Sequence, residues 1–155
     1  AANAIVYGYQ IGLELKLSNS ISVSSRFSNQ NGTEELGDGR TDRLRHASPW
    51  FGLSTISYAH KKLLIQAYSQ YNGGFNAGEL PMEESAKDFL YPKDQNGLPY
   101  APAWTTYNLR IRYRIADKLT LVGGIENISD VRYRPYSSGL AAAGRNFSLS
   151  VKLGI

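Results

Sequence analysis

The chain has 155 residues, and its 17 Lys and Arg against 13 Asp and Glu give a formal net charge of +4. This length fits one domain or one piece of a larger domain. Hydrophobic residues make up 42% and charged residues 19%, which excludes disordered and collagen-like chains. The absence of cysteine excludes disulfide frameworks, zinc–thiolate sites and cysteine nucleophiles.

The first predicted elements are two strands with one apolar face each. Odd positions from Ile5 to Leu17 are apolar or aromatic, while most of the even positions between them are polar or glycine. A period of two predicts a β-strand, because a helix would spread these residues around its axis. The pattern repeats from Ile21 to Ser28, after turn-forming residues at 18–20.

Two middle strands are predicted at Trp50–Ala59 and Leu63–Tyr71, joined by a turn at His60–Lys62. Their composition is strand-like, but the pattern leaves open which of their faces is apolar.

The alternation is clearest in the last three predicted strands, Tyr107–Ile115, Leu119–Glu126 and Arg145–Ile155. Pairing Ile115 with Leu119 around a three-residue loop keeps the apolar residues of both strands on one face. A two-residue loop would place Ile115 opposite a polar residue, because a shift of one position turns every side chain over.

Short and long connections alternate along this series of about seven strands. The long connections are Asn29–Ala47, Asn72–Pro102 and Asp130–Gly144. Short turns at one end, long loops at the other and strands of about 9–11 residues are typical of outer-membrane β-barrels. A barrel of this kind has no long apolar run, since lipid-facing and lumen-facing residues alternate. The sequence therefore predicts an all-β, antiparallel transmembrane barrel segment.

Positive charge is concentrated on the polar side of one strand, at Arg110, Arg112 and Arg114. One interpretation is that these arginines line a wet interior and pair with carboxylates such as Glu126. The other is a cationic track for an anionic solute. Nucleic-acid binding is disfavoured, because the arginines alternate with apolar residues and do not cluster with exposed aromatic residues.

Three motifs lie near the end of the chain. Pro99 to Arg110 reads Pro-Tyr-Ala-Pro-Ala-Trp-Thr-Thr-Tyr-Asn-Leu-Arg, Gly124 to Asp130 reads Gly-Ile-Glu-Asn-Ile-Ser-Asp, and Gly-Arg-Asn-Phe begins at Gly144. With Tyr133, these motifs resemble the C-terminal end of TonB-dependent outer-membrane receptors. The resemblance extends upstream and covers essentially the whole chain.

The resemblance implies a 22-stranded barrel closed by an N-terminal plug. Such receptors import ferric siderophores, haem, cobalamin or oligosaccharides with energy from the inner-membrane TonB complex. Residues 1–155 would then be the C-terminal part of the barrel, because seven strands is an odd number and the plug is not visible in the sequence. Family members commonly end in Phe, whereas this chain ends in Ile155.

The expected partners are outer-membrane lipid, the TonB complex through the missing plug, and a small iron or corrin ligand at the extracellular loops. No cofactor and no nucleic acid are expected. Within the resemblance, Asn127, Asp130, Tyr133 and Arg145 look architectural. Asn127 and Asp130 would hydrogen-bond backbone where a strand leaves the membrane, and Tyr133 would join the interfacial aromatic girdle.

No catalytic constellation is predicted, and the ligand-binding residues are not identified. His46 and His60 have no second ligand at metal-binding spacing, so a solvated histidine is favoured over a haem or metal ligand. Glu83 and Glu84 are adjacent and do not predict a glycosidase pair. Four loop aromatic residues either contact a ligand or pack the loops together: Phe75, Phe89, Tyr91 and Tyr100.

Two alternative functions remain. A passive porin-like barrel would share the fold but would not need the proton-motive force. A soluble lipocalin-like barrel would turn the same apolar faces inward and bind a ligand inside.

Overall fold

The computed structural model describes residues 3–87 and 89–154. The only regular helix in that range is one four-residue turn, and no helix there is long and apolar enough to cross a membrane. The elements are β1 (Ala4–Lys16), β2 (Ile21–Glu35), β3 (Thr41–Arg43), β4 (Phe51–His60), β5 (Leu63–Asn72), α1 (Met82–Ser85), β6 (Trp104–Ala116), β7 (Leu119–Glu126) and β8 (Asn146–Leu153).

All strands belong to one antiparallel sheet with the order β1-β2-β4-β5-β6-β7-β8, and the short β3 pairs with the far end of β2. Each long strand therefore lies beside the next long strand in the chain. The predicted all-β antiparallel fold with seven long strands is confirmed. Within the described residues, β1 pairs only with β2 and β8 pairs only with β7, so each leaves one backbone edge unpaired.

The register places the alternating apolar row of each long strand on the same side of the sheet, while a few apolar or aromatic residues such as Phe51 and Trp104 lie on the other side. Ile56 in β4 lies opposite Val23 in β2 and Ala67 in β5, and directly opposed residues of antiparallel strands share a face. The register therefore shows which side of β4 and β5 is apolar, which the sequence pattern alone does not. We call this side the apolar face and the other the polar face. The apolar face includes Ile11, Val23, Ile56, Ile65, Ile111, Leu121 and Leu149.

The apolar face is not covered by another layer of the described chain. Ile11 is 60% exposed, Ile56 56% and Leu149 73%. An apolar surface that crosses seven strands is far larger than the isolated apolar patches of soluble monomers. A continuous, uncovered apolar surface of this size is typical of a surface that contacts lipid.

Aromatic side chains border the apolar face at both ends of the strands. At one end Tyr9 stacks on Phe27 (6.2 Å between ring centroids) and Phe27 on Trp50 (5.9 Å), and Trp50 meets Tyr71 at a tilted angle (6.1 Å). At the other end Tyr58 stacks on His60 at 6.4 Å. Tyr71 belongs to the first row, and Tyr58 of the second row pairs with Ile65. Tyr71 and Ile65 are six residues apart along β5, a distance of roughly 20 Å at about 3.3 Å per residue. This approaches the roughly 25 Å apolar band of membrane barrels, which aromatic girdles flank.

Gly52 makes room for the first aromatic row. A Cβ atom at Gly52 would lie 2.5 Å from the Tyr71 hydroxyl oxygen, because the Tyr71 ring crosses the backbone of β4 on the apolar face. The side chain missing from one strand is thus replaced by a ring from its neighbour.

Two local predictions differ from the structure. Around the β6–β7 turn the predicted parity is correct, since Tyr113 pairs with Leu121, but Leu119 pairs with Ala116 and not with Ile115. A bulge at Ile115 absorbs the extra residue. The connection predicted from Asn29 is also shorter, because β2 continues to Glu35 by pairing with β1. The predicted terminal Ile155 lies outside the described residues.

The connections alternate as predicted. Short turns at 17–20, 61–62 and 117–118 lie at one end, called the turn end. Long connections at 36–50, 73–103 and 127–145, called loops 1, 2 and 3, lie at the other, the loop end. The best buried apolar residues are in these loops and not on the sheet: Ala47, Phe75, Leu80, Tyr91 and Ala101.

Charge reversal of the two faces tests their assignment. We expect Ile56→Arg on the apolar face to lower the free energy of unfolding in lipid vesicles by about 2–4 kcal/mol, because it places a cation in hydrocarbon. Thr55→Arg, one residue away on the polar face, is the matched control and should cost less than about 1 kcal/mol. Guanidinium unfolding of the protein that contains this chain measures both. Equal costs would contradict the assignment.

Candidate functional site at the loop end

The three long loops meet around one buried carboxylate, that of Glu84 on α1. Four donors from all three loops reach it. Arg45 Nε donates from loop 1 at 2.8 Å, and Lys87 Nζ and Tyr91 Oη donate from loop 2, each at 2.6 Å. Ser137 Oγ donates from loop 3 at 3.0 Å. We call these five residues the Glu84 cluster.

The Glu84 carboxylate has no solvent exposure, so its charge depends on this cluster. Burial alone would raise the pKa of Glu84, but the hydrogen bonds from Lys87, Tyr91, Arg45 and Ser137 outweigh it and lower the pKa to about 2. The hydrogen bonds to Glu84 also shift the pKa values of two of the donors. The pKa of the Tyr91 phenol is raised by burial and by its bond to the carboxylate, and the bond to Glu84 raises the pKa of Arg45.

An apolar core lies beside the Glu84 cluster. Phe75 packs edge-on against Tyr136 with 5.1 Å between ring centroids, and the Arg43 guanidinium lies 4.7 Å from the centre of the Phe75 ring. Tyr136 Oη donates to the Arg45 carbonyl oxygen at 2.9 Å, and the Met82 amide donates to Asp42 Oδ2 at 2.7 Å. Loops 1, 2 and 3 are therefore joined by packing as well as by charge.

The aromatic residues that the sequence left between two roles fall into two groups. Phe75 and Tyr91 are buried and pack the loops together. Phe89 is 78% exposed, and Tyr100 is half-buried. Only the latter two have surface free to meet another molecule.

A cavity of about 430 Å³ opens between loops 2 and 3. Its walls include Phe89, Pro92, Trp104, Arg132, Tyr133 and Arg134. Arg134 Nη1 donates to the Phe89 carbonyl oxygen at 3.3 Å, and neither arginine forms an ion pair within the described part of the chain. The walls thus combine aromatic rings with two arginine side chains.

A second cavity, of about 610 Å³, lies over the polar face below loop 3. Arg110 Nη2 is 3.9 Å from Glu126 Oε1, and its guanidinium lies 5.7 Å from the centre of the Tyr68 ring. The predicted contact of Arg110 with Glu126 is therefore present. Arg112 and Arg114 make no ion pair with any described residue, so both interpretations of this arginine row remain open.

Asn127, Asp130 and Arg145 have the architectural contacts that the sequence predicted. The Asn127 amide N–H donates to Asn108 Oδ1 at 2.8 Å, and its side chain bonds the backbone of Val131. Asp130 Oδ1 accepts the Arg145 N–H at 2.7 Å. Asn127 and Asp130 have φ values of 50° and 54°, a left-handed conformation that their short polar side chains tolerate. These contacts fix the start and the end of loop 3.

The predicted position of Tyr133 in the aromatic girdle is wrong. Its ring stacks on Trp104 with 4.0 Å between centroids. Trp104 pairs with Asn72, which pairs with Phe51, and this row belongs to the polar face. Tyr133 lies on that side because loop 3 folds over the polar face, and it borders both cavities.

The titratable residues considered for catalysis or metal binding are not brought together. His46 is exposed in loop 1, and His60 lies at the turn end against Tyr58. Glu83 pairs with Arg45 at 3.1 Å from the surface side, while Glu84 is buried on the other side of the same guanidinium. The described residues contain no group of three or more side chains suited to a metal ion.

No family model matches the chain, and no curated protein matches it in sequence. Solved structures match over 97% of the chain. They include the copper transporter OprC (15% identity, TM-score 0.75), the siderophore receptor PiuA from Acinetobacter baumannii (18%, 0.63) and the FrpB iron transporter from Neisseria meningitidis (15%, 0.71).

The chain spans less than a quarter of the length of these structures, 23%, 22% and 24% respectively. At such identities the likeness shows the fold alone. That fold is a segment of the wall of an outer-membrane β-barrel, and the predicted resemblance to the barrel of TonB-dependent receptors is confirmed at this level.

Removing the charge of Glu84 tests whether the cluster joins the loops. Glu84→Gln leaves Arg45 and Lys87 without a buried carboxylate, and breaking a buried pair costs about 3–5 kcal/mol. We expect hydrogen exchange at residues 73–103 to rise on the order of 100- to 1,000-fold. The matched control is Glu83→Gln, whose carboxylate is 59% exposed and should contribute less than about 1 kcal/mol. Equal protection in the two variants would contradict the role of Glu84.

The pKa of Glu84 also predicts a pH dependence. A carboxyl group whose pKa is lower in the folded state contributes stability above its unfolded value and loses it as the pH falls through the folded value. The window therefore runs from pH 4.5 down to about 2, and the total effect is about 3 kcal/mol. Hydrogen exchange at 73–103, corrected for intrinsic rates, should accelerate across this window in the wild type. The same acceleration in Glu84→Gln would refute the assignment.

Proposed function

We propose that this chain forms part of the wall and loop end of an outer-membrane receptor that imports a scarce nutrient in a TonB-dependent manner. The observation that carries the proposal is the combination of a continuous apolar face, a polar face behind it and long loops joined to one another at one end. A passive wall needs the two faces, but it does not need loops held by a buried carboxylate.

The unpaired edges of β1 and β8 support a larger barrel. An unpaired backbone amide or carbonyl group in lipid costs several kcal/mol. β1 has 13 residues and β8 has 8, so edges of this length would be costly in a membrane. We infer that residues 1–155 are the C-terminal part of a barrel whose other strands, together with a plug, belong to the same longer polypeptide.

The ligand that we propose is a ferric siderophore, haem or cobalamin. The solved structures of similar fold include a siderophore receptor and an iron transporter. The cavity between loops 2 and 3 supports this class, because Phe89, Trp104 and Tyr133 offer ring surfaces and Arg132 and Arg134 offer positive charge. Aromatic rings together with arginines suit a large anionic ligand, so this cavity supports haem and anionic ferric siderophores more directly than cobalamin.

The solved structures of similar fold are named as transporters and a receptor, and none of these names is that of an enzyme. We therefore propose a receptor without catalytic chemistry, whose ligand passes across the polar side of the sheet. The polar face would line the interior of the barrel, as the mixed amide, hydroxyl and arginine side chains of its cavity suggest.

Energy dependence separates this proposal from a passive porin. Cells that produce the complete protein are given iron-55 as a catecholate siderophore, a hydroxamate siderophore or haem, or cobalt-57 as cobalamin. We expect one of these labels to accumulate, and a protonophore or deletion of the tonB gene to abolish the uptake. Arg132→Gln with Arg134→Gln should weaken binding of that ligand about 10-fold or more. Uptake that persists without proton-motive force would favour the porin.

A further inference from the structure

The charged residues of the turn end are almost all positive. The three short turns contain Lys61, Lys62 and Lys118 against a single acid, Asp117. None of the three lysines forms an ion pair within residues 3–87 and 89–154, and all three are exposed. In the loops, by contrast, Arg45 and Lys87 are paired with Glu84.

The antiparallel pairing brings these lysines to the same end of the strands, the turn end. The Arg114 amide donates to the Lys62 carbonyl oxygen at 2.9 Å, and Lys62 Nζ is 3.4 Å from the Ile115 carbonyl oxygen, so the β4–β5 turn lies against β6. The Gly154 amide donates to the Lys118 carbonyl oxygen at 2.8 Å, so the β6–β7 turn lies against the end of β8.

The lysines also continue the apolar face. Tyr58 and His60 stack just before Lys61, and Leu63 follows directly after Lys62. Tyr113 on β6 lies opposite Leu63 and is 46% exposed. The order from the middle of the strands outward is therefore aliphatic, aromatic and cationic. Long basic side chains beside an aromatic row occur where hydrocarbon gives way to headgroups.

We propose that the turn end binds anionic phospholipid headgroups of the adjacent leaflet through Lys61, Lys62 and Lys118, while the acyl chains lie along the apolar face. Charge complementarity and continuity with the apolar face favour a lipid over an acidic protein, which would not need the aromatic and aliphatic surface. The inference rests on the proposed membrane placement and adds a specific lipid partner to it.

Lipid affinity of the complete protein, purified in neutral detergent, tests the proposal. Native mass spectrometry would count bound phosphatidylglycerol and phosphatidylcholine. We expect a preference for phosphatidylglycerol that is lost at high salt, because each exposed lysine contributes a factor of about 5 near an anionic surface. Lys61→Gln with Lys62→Gln should lower the affinity for phosphatidylglycerol on the order of 25-fold, and adding Lys118→Gln should lower it further.

The matched control is Arg40→Gln with Lys93→Gln, which removes two exposed cations from the loop end and should leave phosphatidylglycerol binding unchanged. Equal affinity for the two lipids, or equal loss in test and control variants, would overturn the proposal. Competition by inorganic phosphate or poly-glutamate as strong as that by the lipid would overturn it too, in favour of a free anion or an acidic protein. Failure to enter detergent micelles would instead refute the proposed membrane placement.

Discussion

The register of the sheet is the constraint on which the rest of the structure depends. In hydrocarbon every backbone polar group must be paired within the sheet, and a slip of one residue in any strand would turn its apolar side chains to the polar side. Each turn must therefore close with the correct parity. The bulge at Ile115 shows the constraint at work, because it allows a tight turn without changing the pairing of Tyr113 with Leu121.

The loop end is stabilised in a different way, because its residues do not belong to the apolar face. Loops 1, 2 and 3 are stabilised by the Glu84 cluster and by the contact of Phe75 with Tyr136. A buried charge is costly unless it is paired and hydrogen-bonded, and Glu84 has three donors on Oε1 and one on Oε2. The Glu84 cluster also positions the walls of the cavity between loops 2 and 3, to which it contributes Tyr91, and this is the cavity that we propose binds the ligand.

The strands could be predicted because their signal is local. Alternation from Ile5 to Leu17 and from Tyr107 to Ile115 needs no distant partner to be read. The end of β2 has no such local signal, because polar residues such as Asn29 and Asn31 continue the strand only by pairing with β1. The Glu84 cluster left no local signal either, since Arg45 and Ser137 reach Glu84 from 39 and 53 residues away. The sequence does not show on which face Tyr133 lies, because the path of loop 3 depends on the contacts of Asn108 and Asn127.

Side-chain accessibility along β6 tests the central claim most directly. The chain has no cysteine of its own. With any cysteine elsewhere in the complete protein replaced, a spin label can be placed at one residue at a time from Tyr107 to Arg112, with the protein in lipid vesicles. Labels at Tyr107, Leu109 and Ile111 should be reached by oxygen dissolved in the lipid and protected from a water-soluble nickel complex, and labels at the residues between them should be protected from lipid-dissolved oxygen. An accessibility profile without a period of two, or with the opposite phase, would contradict the account.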